Sequence, residues 1–375
     1  MTQIIKEKKI KCPKCSGELA DVKVFNLMLK TFLSPTEDEL AYLRPETAQG
    51  IFVDFKKILV ATRAKLPFGV AQIGTSFRNE ISPRQFIIRL RMFNQIEIEW
   101  FVDPKNMDKH PKFDDVKDEK IRILTREAQK GDGKDITLTA GESVEKGLIP
   151  NQHLAFYLAK ETQFYQSLGL PFEMFRFRHM LPEETPHYSK GNFDLEIKFD
   201  FGWKEVVGNA YRTDHDLKNH MEKSGVDLSM TMDDGSKVIP HVIEPSFGIE
   251  RTLYAVLLNC YKDDKERGWE LFSFPPDLAP YTVGVFPLVN KDGLQEKSEE
   301  VFSMLKRYFD VFYDDKGSIG KRYARADEIG TPFCITIDYD TKENNTVTLR
   351  NRDTTKQDRV RIEDLINILQ KLSEV

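Results

Sequence analysis

Residues 76–100 read "SFRNEISPRQFIIRLRMFNQIEIEW", a run that holds four arginines and three glutamates among residues that otherwise favour burial. Taken at the strand period of two, its second half separates into two faces. Arg89, Arg91, Phe93, Gln95, Glu97 and Glu99 point one way, while Leu90, Met92, Ile96 and Ile98 point the other. The alternation predicts an apolar face turned to the core and a polar face free for chemistry. The first half, "AQIGTSFRNE", places Arg78 and Glu80 on a common face, and "ISPRQF" between the halves carries the Pro and Ser of a loop. The expectation is a β-hairpin with a long, arginine-bearing tip.

An ordinary amphipathic hairpin leaves its polar face wet. A wet face has no use for arginine forks, an aromatic ring and carboxylates in one row. The planar donors of arginine bind two phosphate oxygens at once, and Phe93, between Arg91 and Glu97, offers a flat surface for a heterocycle. The pattern therefore predicts a nucleoside-triphosphate site built on a sheet. No G-x-x-x-x-G-K-[ST] stretch occurs, and no G-x-G-x-x-G follows a strand, so neither the P-loop nor the dinucleotide fold supplies it.

The chain of 375 residues is long enough for two domains, and 40% hydrophobic with 31% charged residues is a globular composition. It lacks a run of some twenty apolar residues, and "MTQIIKEKKIKCPKC" lacks the apolar centre of a signal peptide, so the cytoplasm is the expected compartment. With a formal charge of -5, any nucleic-acid partner has to be held by local basic patches. Four cysteines are too few for a disulfide framework, and Cys260 and Cys334 sit alone in apolar contexts. Cys12 and Cys15, in "KCPKCSGEL", form half of a zinc knuckle, but tetrahedral zinc needs two more ligands and none is nearby in sequence. His110 and the other histidines could supply them only through the fold. A vestigial knuckle, or a site completed by another chain, is the alternative.

The clearest boundary is "LFSFPPDLAPYTVGVFPLV", where prolines precede a new apolar strand near Tyr281. Domains are expected at 1–280 and 281–375. The second alternates strand and helix, ending in strand "TVTLRNRD" and helix "IEDLINILQKL", which predicts a small sheet flanked by helices. Within the first, a charged segment from Pro104 to about Lys134 shows little apolar period and reads as a helical or mobile insertion.

"FRNEISPRQFIIRLRMFNQIEIEWF" resembles motif 2 of the class II aminoacyl-tRNA synthetases, in the form used by the glycyl-tRNA synthetase family. Four further blocks in order support the likeness: "YLRPETAQGIFVDFK" upstream, "GWKEVVGNAYRTDHDLKNH" downstream, "VIEPSFGIERTLYAVL" as motif 3, and "DDKGSIGKRYARADEIGTPFCITID" as the anticodon-binding domain. The resemblance implies an α+β fold: an antiparallel sheet with flanking helices, then a small α/β anticodon-binding domain. It implies that glycine attacks the α-phosphate of ATP, brought with Mg²⁺, and that the glycyl group then passes to the terminal ribose of tRNA(Gly).

On the same resemblance, Arg78 would hold the α-phosphate and the glycine carboxylate. Glu80 would accept from the adenine amino group, Phe93 would stack on the ring, Arg91 would add to the ATP face, and Arg251 would take the γ-phosphate. Glu46, Glu97 and Ser246 match positions that surround the glycine ammonium. Glu244 is expected to assist on the ATP side, and Glu205 and Arg212 match blocks lining the glycine site. Lys321, Arg322 and Arg325, after Gly317 and Gly320, read as a basic island along the first turns of a helix and are candidates for tRNA phosphate contacts.

Two departures stand out. Only 43 residues precede Arg44, and no motif 1, which builds the family's dimer interface, is found in them. A fragment or shortened form is expected, acting as a homodimer or with a separately encoded N-terminal portion. Met92 stands where the family usually has a glutamate, on the face expected to be core. The rival class is a synthetase-like protein without aminoacylation, such as an accessory subunit of a DNA polymerase. Such relatives lose active-site charges first, whereas Arg78, Glu80, Phe93, Glu97, Ser246 and Arg251 are all present.

Overall fold

The computed structural model describes residues 2–21, 25–185 and 189–373. Its main sheet has eight strands: β1 (Phe68–Phe77), β2 (Met92–Val102), β3 (Lys120–Leu124), β4 (Ile136–Thr139), β5 (Phe175–His179), β6 (Asn192–Phe199), β7 (Gly202–Thr213) and β8 (His241–Gly248). They lie in the order β1-β2-β8-β7-β6-β5-β3-β4, antiparallel except where β3 meets β5. Strands β1 and β2 form the expected hairpin, paired from Phe68↔Phe101 to Phe77↔Met92, with a tip long enough to carry Arg78, Glu80 and Arg89 back over the sheet.

Helices α1 (Ala48–Thr62) and α3 (His215–Ser224) cover one end of one face, packing Ile51, Phe52, Phe55 and Leu217 on Phe101 and Val242. Helices α2 (Gln152–Ser167) and α4 (Ile249–Cys260) cover the other face, where Leu154, Leu158 and Tyr165 pack with Phe177, Leu195 and Ile243. This placement inverts the expected polarity of β2. Gln95, Glu97 and Glu99 are 6%, 2% and 0% exposed, whereas Met92 is 62% exposed. Ile96 and Ile98 are half-buried in an apolar groove with Phe164, Phe247 and Leu253. The reason is topological: β2 is second from the sheet edge, so the α2–α4 layer reaches it only in part, while α1 and the hairpin tip roof its polar side.

The segment expected to be an insertion is integral to the sheet. Strand β3 lies within it, and Ile121 and Ile123 are completely buried in the main core. Its apolar residues are spread over two single turns and one short strand, and its one helix, Arg126–Lys130, has only five residues and none buried, so no helical period shows.

A second sheet begins at Val283. Strands β11 (Val283–Pro287), β12 (Val311–Tyr313), β13 (Phe333–Ile337), β14 (Thr346–Asn351) and β15 (Gln357–Arg361) lie in the order β12-β11-β13-β14-β15. They are wrapped by α5 (Leu294–Leu305), α6 (Ile319–Glu328), α7 (Tyr339–Asn344) and α8 (Leu365–Ser373). Sequence patterning missed α7 and β15; the latter, QDRVR, is an exposed edge strand with almost no apolar signal.

Between the two sheets stands a hairpin of β9 (Tyr261–Asp264) and β10 (Trp269–Phe272). Asp327 on α6 is wholly buried and receives both Arg350 guanidinium nitrogens at 2.7 and 2.8 Å, Arg267 at 3.3 Å and the Trp269 indole N–H at 3.1 Å. One carboxylate thereby ties the hairpin to the C-terminal sheet. Asp327→Ala leaves the buried Arg350 without its carboxylate, while half-buried Arg267 keeps Asp264 at 3.0 Å and Asp353 O at 2.9 Å, and a stability loss of about 3–5 kcal/mol is expected in urea denaturation. A change below about 1 kcal/mol would mean the network contributes nothing net.

Candidate active site

The polar face of the sheet forms the floor of a cleft of about 300 Å³, roofed by the hairpin tip and lined by Arg78, Glu80, Phe93, Glu97, Ser246 and Arg251 among others. At its centre Glu97 is held by two other chain segments. Its Oε2 accepts from the backbone N–H of Thr47 at 2.6 Å and of Ala48 at 2.8 Å, and from the Thr47 hydroxyl. Those are the first donors of α1, which has no side-chain cap of its own, so a carboxylate from another strand fills the cap position and meets the positive end of the helix. Glu97 Oε1 accepts from Ser246 Oγ at 3.0 Å, and Ser246 accepts from Gln95 Nε2 at 3.1 Å.

Arg212 is 3% exposed, and its donors are spent inside the protein. It donates to Asp216 through Nε and Nη2 at 2.7 and 2.9 Å and to Glu244 through Nη1, with Glu46 Oε1 3.9 Å from Nη2. Three carboxylates, Glu46, Glu244 and Asp216, thus surround one guanidinium. Burial pushes Glu244 up to about 7, with Glu97 and Glu46 adding to the shift and Arg212 opposing it. Burial and then the charge of Glu244 raise Glu99 well above its ordinary value, against the pull of Arg212. Burial works against the ionised form of Asp216 as well, but the hydrogen bond and charge of Arg212, with Gln49 and His215, together outweigh it and hold Asp216 below the usual value.

The other end of the cleft is cationic and aromatic. The Arg78 guanidinium lies 5.2 Å from the Phe93 ring centre, and its Nε reaches Pro45 O at 3.3 Å. Glu80 accepts from Arg89 Nε at 2.8 Å. Arg251, in the first turn of α4, is braced by Ile88 O at 3.0 Å and Glu205 O at 2.8 Å, and it keeps its fork beside the cleft.

Most residues picked from sequence therefore converge here, with three reassignments. Glu205 sits 3.5 Å from Arg251, on the cationic side, and not with Glu46 and Ser246. Glu244 joins the carboxylate cluster and not the nucleotide face. Arg91 is exposed and donates to Glu80 O at 3.0 Å, outside the lining of the cleft. Thr47, Gln95, Asp216 and Asp194 went unrecognised. The "RPETAQG" block offered a signal for Thr47 alone, as a cap residue beside a helix start.

The basic island is not one. Arg322 is 2% exposed and donates to Pro287 O and to Gly317 O, the latter at 2.7 Å. Arg325 Nε pairs with Asp314 at 2.9 Å, while Lys321 stays exposed. The helix points its arginines at carbonyls and at the carboxylate of Asp314. At the N-terminus, Cys12 and Cys15 share a tight turn closed by Ser16 N to Cys12 O at 2.8 Å. Among the described residues no three His, Cys, Asp or Glu groups converge on a metal position, so the two thiols do not make a zinc site by themselves. His110 is elsewhere, buried against Phe156 with ring centres 3.8 Å apart, and burial lowers it to about 4.

An antiparallel sheet with an arginine-tipped hairpin on one side and a small α/β domain behind it defines a class II aminoacyl-tRNA synthetase. Residues 31–126 match the tRNA synthetase class II core domain (G, H, P, S and T), and residues 282–372 match the anticodon binding domain. The glycine–tRNA ligases of Pyrococcus furiosus and Pyrococcus abyssi are 42% and 43% identical over 450 positions, covering 99% of this chain and 79% and 78% of theirs. That of Methanocaldococcus jannaschii is 39% identical over 458 positions, with 99% and 79% covered. The chain belongs to the glycine–tRNA ligase family. Because 450 aligned positions exceed its 375 residues, the relatives carry internal stretches with no counterpart here, consistent with a shortened form.

Arg212→Met keeps the volume but leaves Glu244 and Asp216 without their cation. A loss of about 3–5 kcal/mol is expected in denaturation at pH 8. It should shrink at pH 6, where the abandoned carboxylates can take up protons; an equal loss at both values would place the cost in packing.

Proposed function

We propose that the cleft activates glycine with MgATP and passes it to tRNA(Gly), with the residues divided as follows. Arg78 meets the α-phosphate, Phe93 and Glu80 take the adenine, and Arg251 takes the γ-phosphate. Glu46, Glu97, Glu244 and Ser246 receive the glycine ammonium. The observation that carries the reading is the split of one cleft into a carboxylate-rich end and an arginine-rich end, the charge pattern that an ammonium and a triphosphate require. Selection of glycine follows from rigidity: Glu97, Ser246, Arg212 and Glu244 are locked by mutual hydrogen bonds, so the wall cannot retreat for a larger side chain.

Anticodon contact is assigned to the C-terminal domain, through Lys321 and not through Arg322, whose loss would damage the domain itself. A homodimer, or pairing with a separately encoded N-terminal portion, is supported by the apolar groove beside β2. Zinc at Cys12 and Cys15 would need ligands from outside the described residues or from another chain. A cytoplasmic setting accords with the lack, among the described residues, of any helix long and apolar enough to cross a membrane.

Glycine-dependent ATP–pyrophosphate exchange tests the assignment. Arg78→Ala and Arg251→Ala are each expected to lower it by about 100-fold or more with the fold intact, because each would neutralise charge on the reacting phosphates. Exchange within a few-fold of wild type would remove the role. A second expectation concerns pH. Below about 7 the empty pocket carries a proton on Glu244, which the glycine ammonium must displace. Glycine affinity should therefore weaken as pH falls from 8 to 6, by up to about tenfold, and Glu244→Gln should bind weakly throughout without that dependence. A wild-type affinity that does not change with pH would show that Glu244 does not face the ammonium.

A further inference from the structure

The sheet register sets six residues in one transverse row: Arg178 on β5, Asp194 on β6, Gly208 on β7, Ser246 on β8, Glu97 on β2 and Gln72 on β1. Residues directly opposite in antiparallel strands share a face. The side of the row at Glu97 and Ser246 belongs to the ammonium end of the cleft. Gly208 comes next and leaves the floor bare. A Cβ added there would have Glu205 Oε1 as its nearest neighbour at 3.8 Å, so the missing side chain leaves space for a ligand and not for packing.

Beyond that gap stands Asp194, 9% exposed and lining the same cleft. A buried carboxyl usually has its oxygens bonded. Here the nearest cation, Arg178 Nη2, is 3.6 Å away, and Arg178 Nη1 donates instead to Glu184 at 2.8 Å and Gln129 at 3.2 Å. No hydrogen bond to Asp194 is formed among the described residues. The groups facing it are Glu205 from β7, Arg178 from β5, Glu196 from its own strand and Glu184 from the loop after β5. Three of the four are acids, so the place repels phosphate. Burial first, then Glu205, pushes Asp194 up to about 8, against the pull of Arg178. A carboxyl in that range both donates and accepts hydrogen bonds and can take a proton near neutral pH.

We propose that Asp194 is the acceptor for the hydroxyl proton of the terminal ribose of tRNA, which enters the cleft over Gly208. The step rests on the glycyl-transfer reading above. The ribose oxygen bonds to the carbonyl carbon of the glycyl-adenylate, the bond from that carbon to the phosphate oxygen breaks, AMP leaves, and the hydroxyl proton moves to the Asp194 carboxylate. The single phosphate of the adenylate stays with Arg78 at the hairpin end, away from Asp194, so the nucleophile and the leaving AMP are served from different sides of the cleft.

Two variants of the full chain test this, Asp194→Asn and Gly208→Ala, through glycine-dependent ATP–pyrophosphate exchange and single-turnover transfer of glycine from preformed adenylate to tRNA(Gly) between pH 6.5 and 9.5. In both, exchange should stay within about threefold of wild type and transfer should slow by about 30-fold or more, within the range of a lost general base. In wild type and in Gly208→Ala, transfer should rise with pH and level off above about 8. In Asp194→Asn that rise should vanish. Exchange falling in parallel with transfer would place Asp194 against the ATP ribose or the fold and overturn the proposal. So would unchanged transfer, or a pH rise that persists without the carboxyl. A wild-type chain inert in both assays would overturn the underlying reading along with it, whereas a wild type active in both separates the two.

Discussion

Glu97 is the point from which the site is built. Its carboxylate is almost fully buried, a state that is costly unless the charge is met by well-placed donors. They come from Thr47 and Ala48 at the start of α1 and from Ser246 on β8, so one side chain fixes a helix, a loop and two strands relative to one another. Helix α1 could not sit elsewhere without losing the acceptor for its first N–H groups. Its seat in turn brings the Phe52 ring to 5.6 Å from the Arg212 guanidinium, and with it the whole carboxylate cluster.

The cluster is unusual in its balance. Arg212 cannot neutralise Glu46, Glu244 and Asp216 together, and the protein accommodates the excess in two ways. Glu99, wholly buried, is pushed well above its ordinary value, and Glu244 is raised to about 7. Both shifts are what a pocket short of one positive charge produces. In the proposed reading the glycine ammonium supplies it, and the hydrogen-bonded wall would admit little beyond that cation.

Sequence reasoning recovered the hairpin and most of the residues that meet in the cleft, since alternation and residue chemistry are local properties. It failed where the outcome depended on neighbours distant in sequence. The apolar face of β2 was expected to be core, but burial follows from the place of the strand in the sheet order, which alternation does not encode. The segment from Pro104 to about Lys134 looked like an insertion because a five-residue strand between single turns leaves no period to detect. Asp194 gave no signal either: an aspartate in an alternating strand becomes distinctive only when Gly208 and Ser246 are seen beside it in register.

Arginines show the same limit most sharply. Arg78, Arg212, Arg251 and Arg322 all sit in blocks that suggested ligand binding, yet what each can do is set by what its nitrogens already hold. Arg212 and Arg322 are consumed by carboxylates and carbonyls and are almost completely buried, so they act as braces. Arg78 is anchored through Nε to Pro45 O, and Arg251 through Nε to Ile88 O and Nη1 to Glu205 O, so each guanidinium is aimed while at least one fork nitrogen is left beside the cleft. The proposed phosphate contacts need this second kind. Anchoring to backbone carbonyls lowers the entropy that the side chain would lose on binding, so under that proposal the two cationic positions are prepared in advance by main-chain atoms.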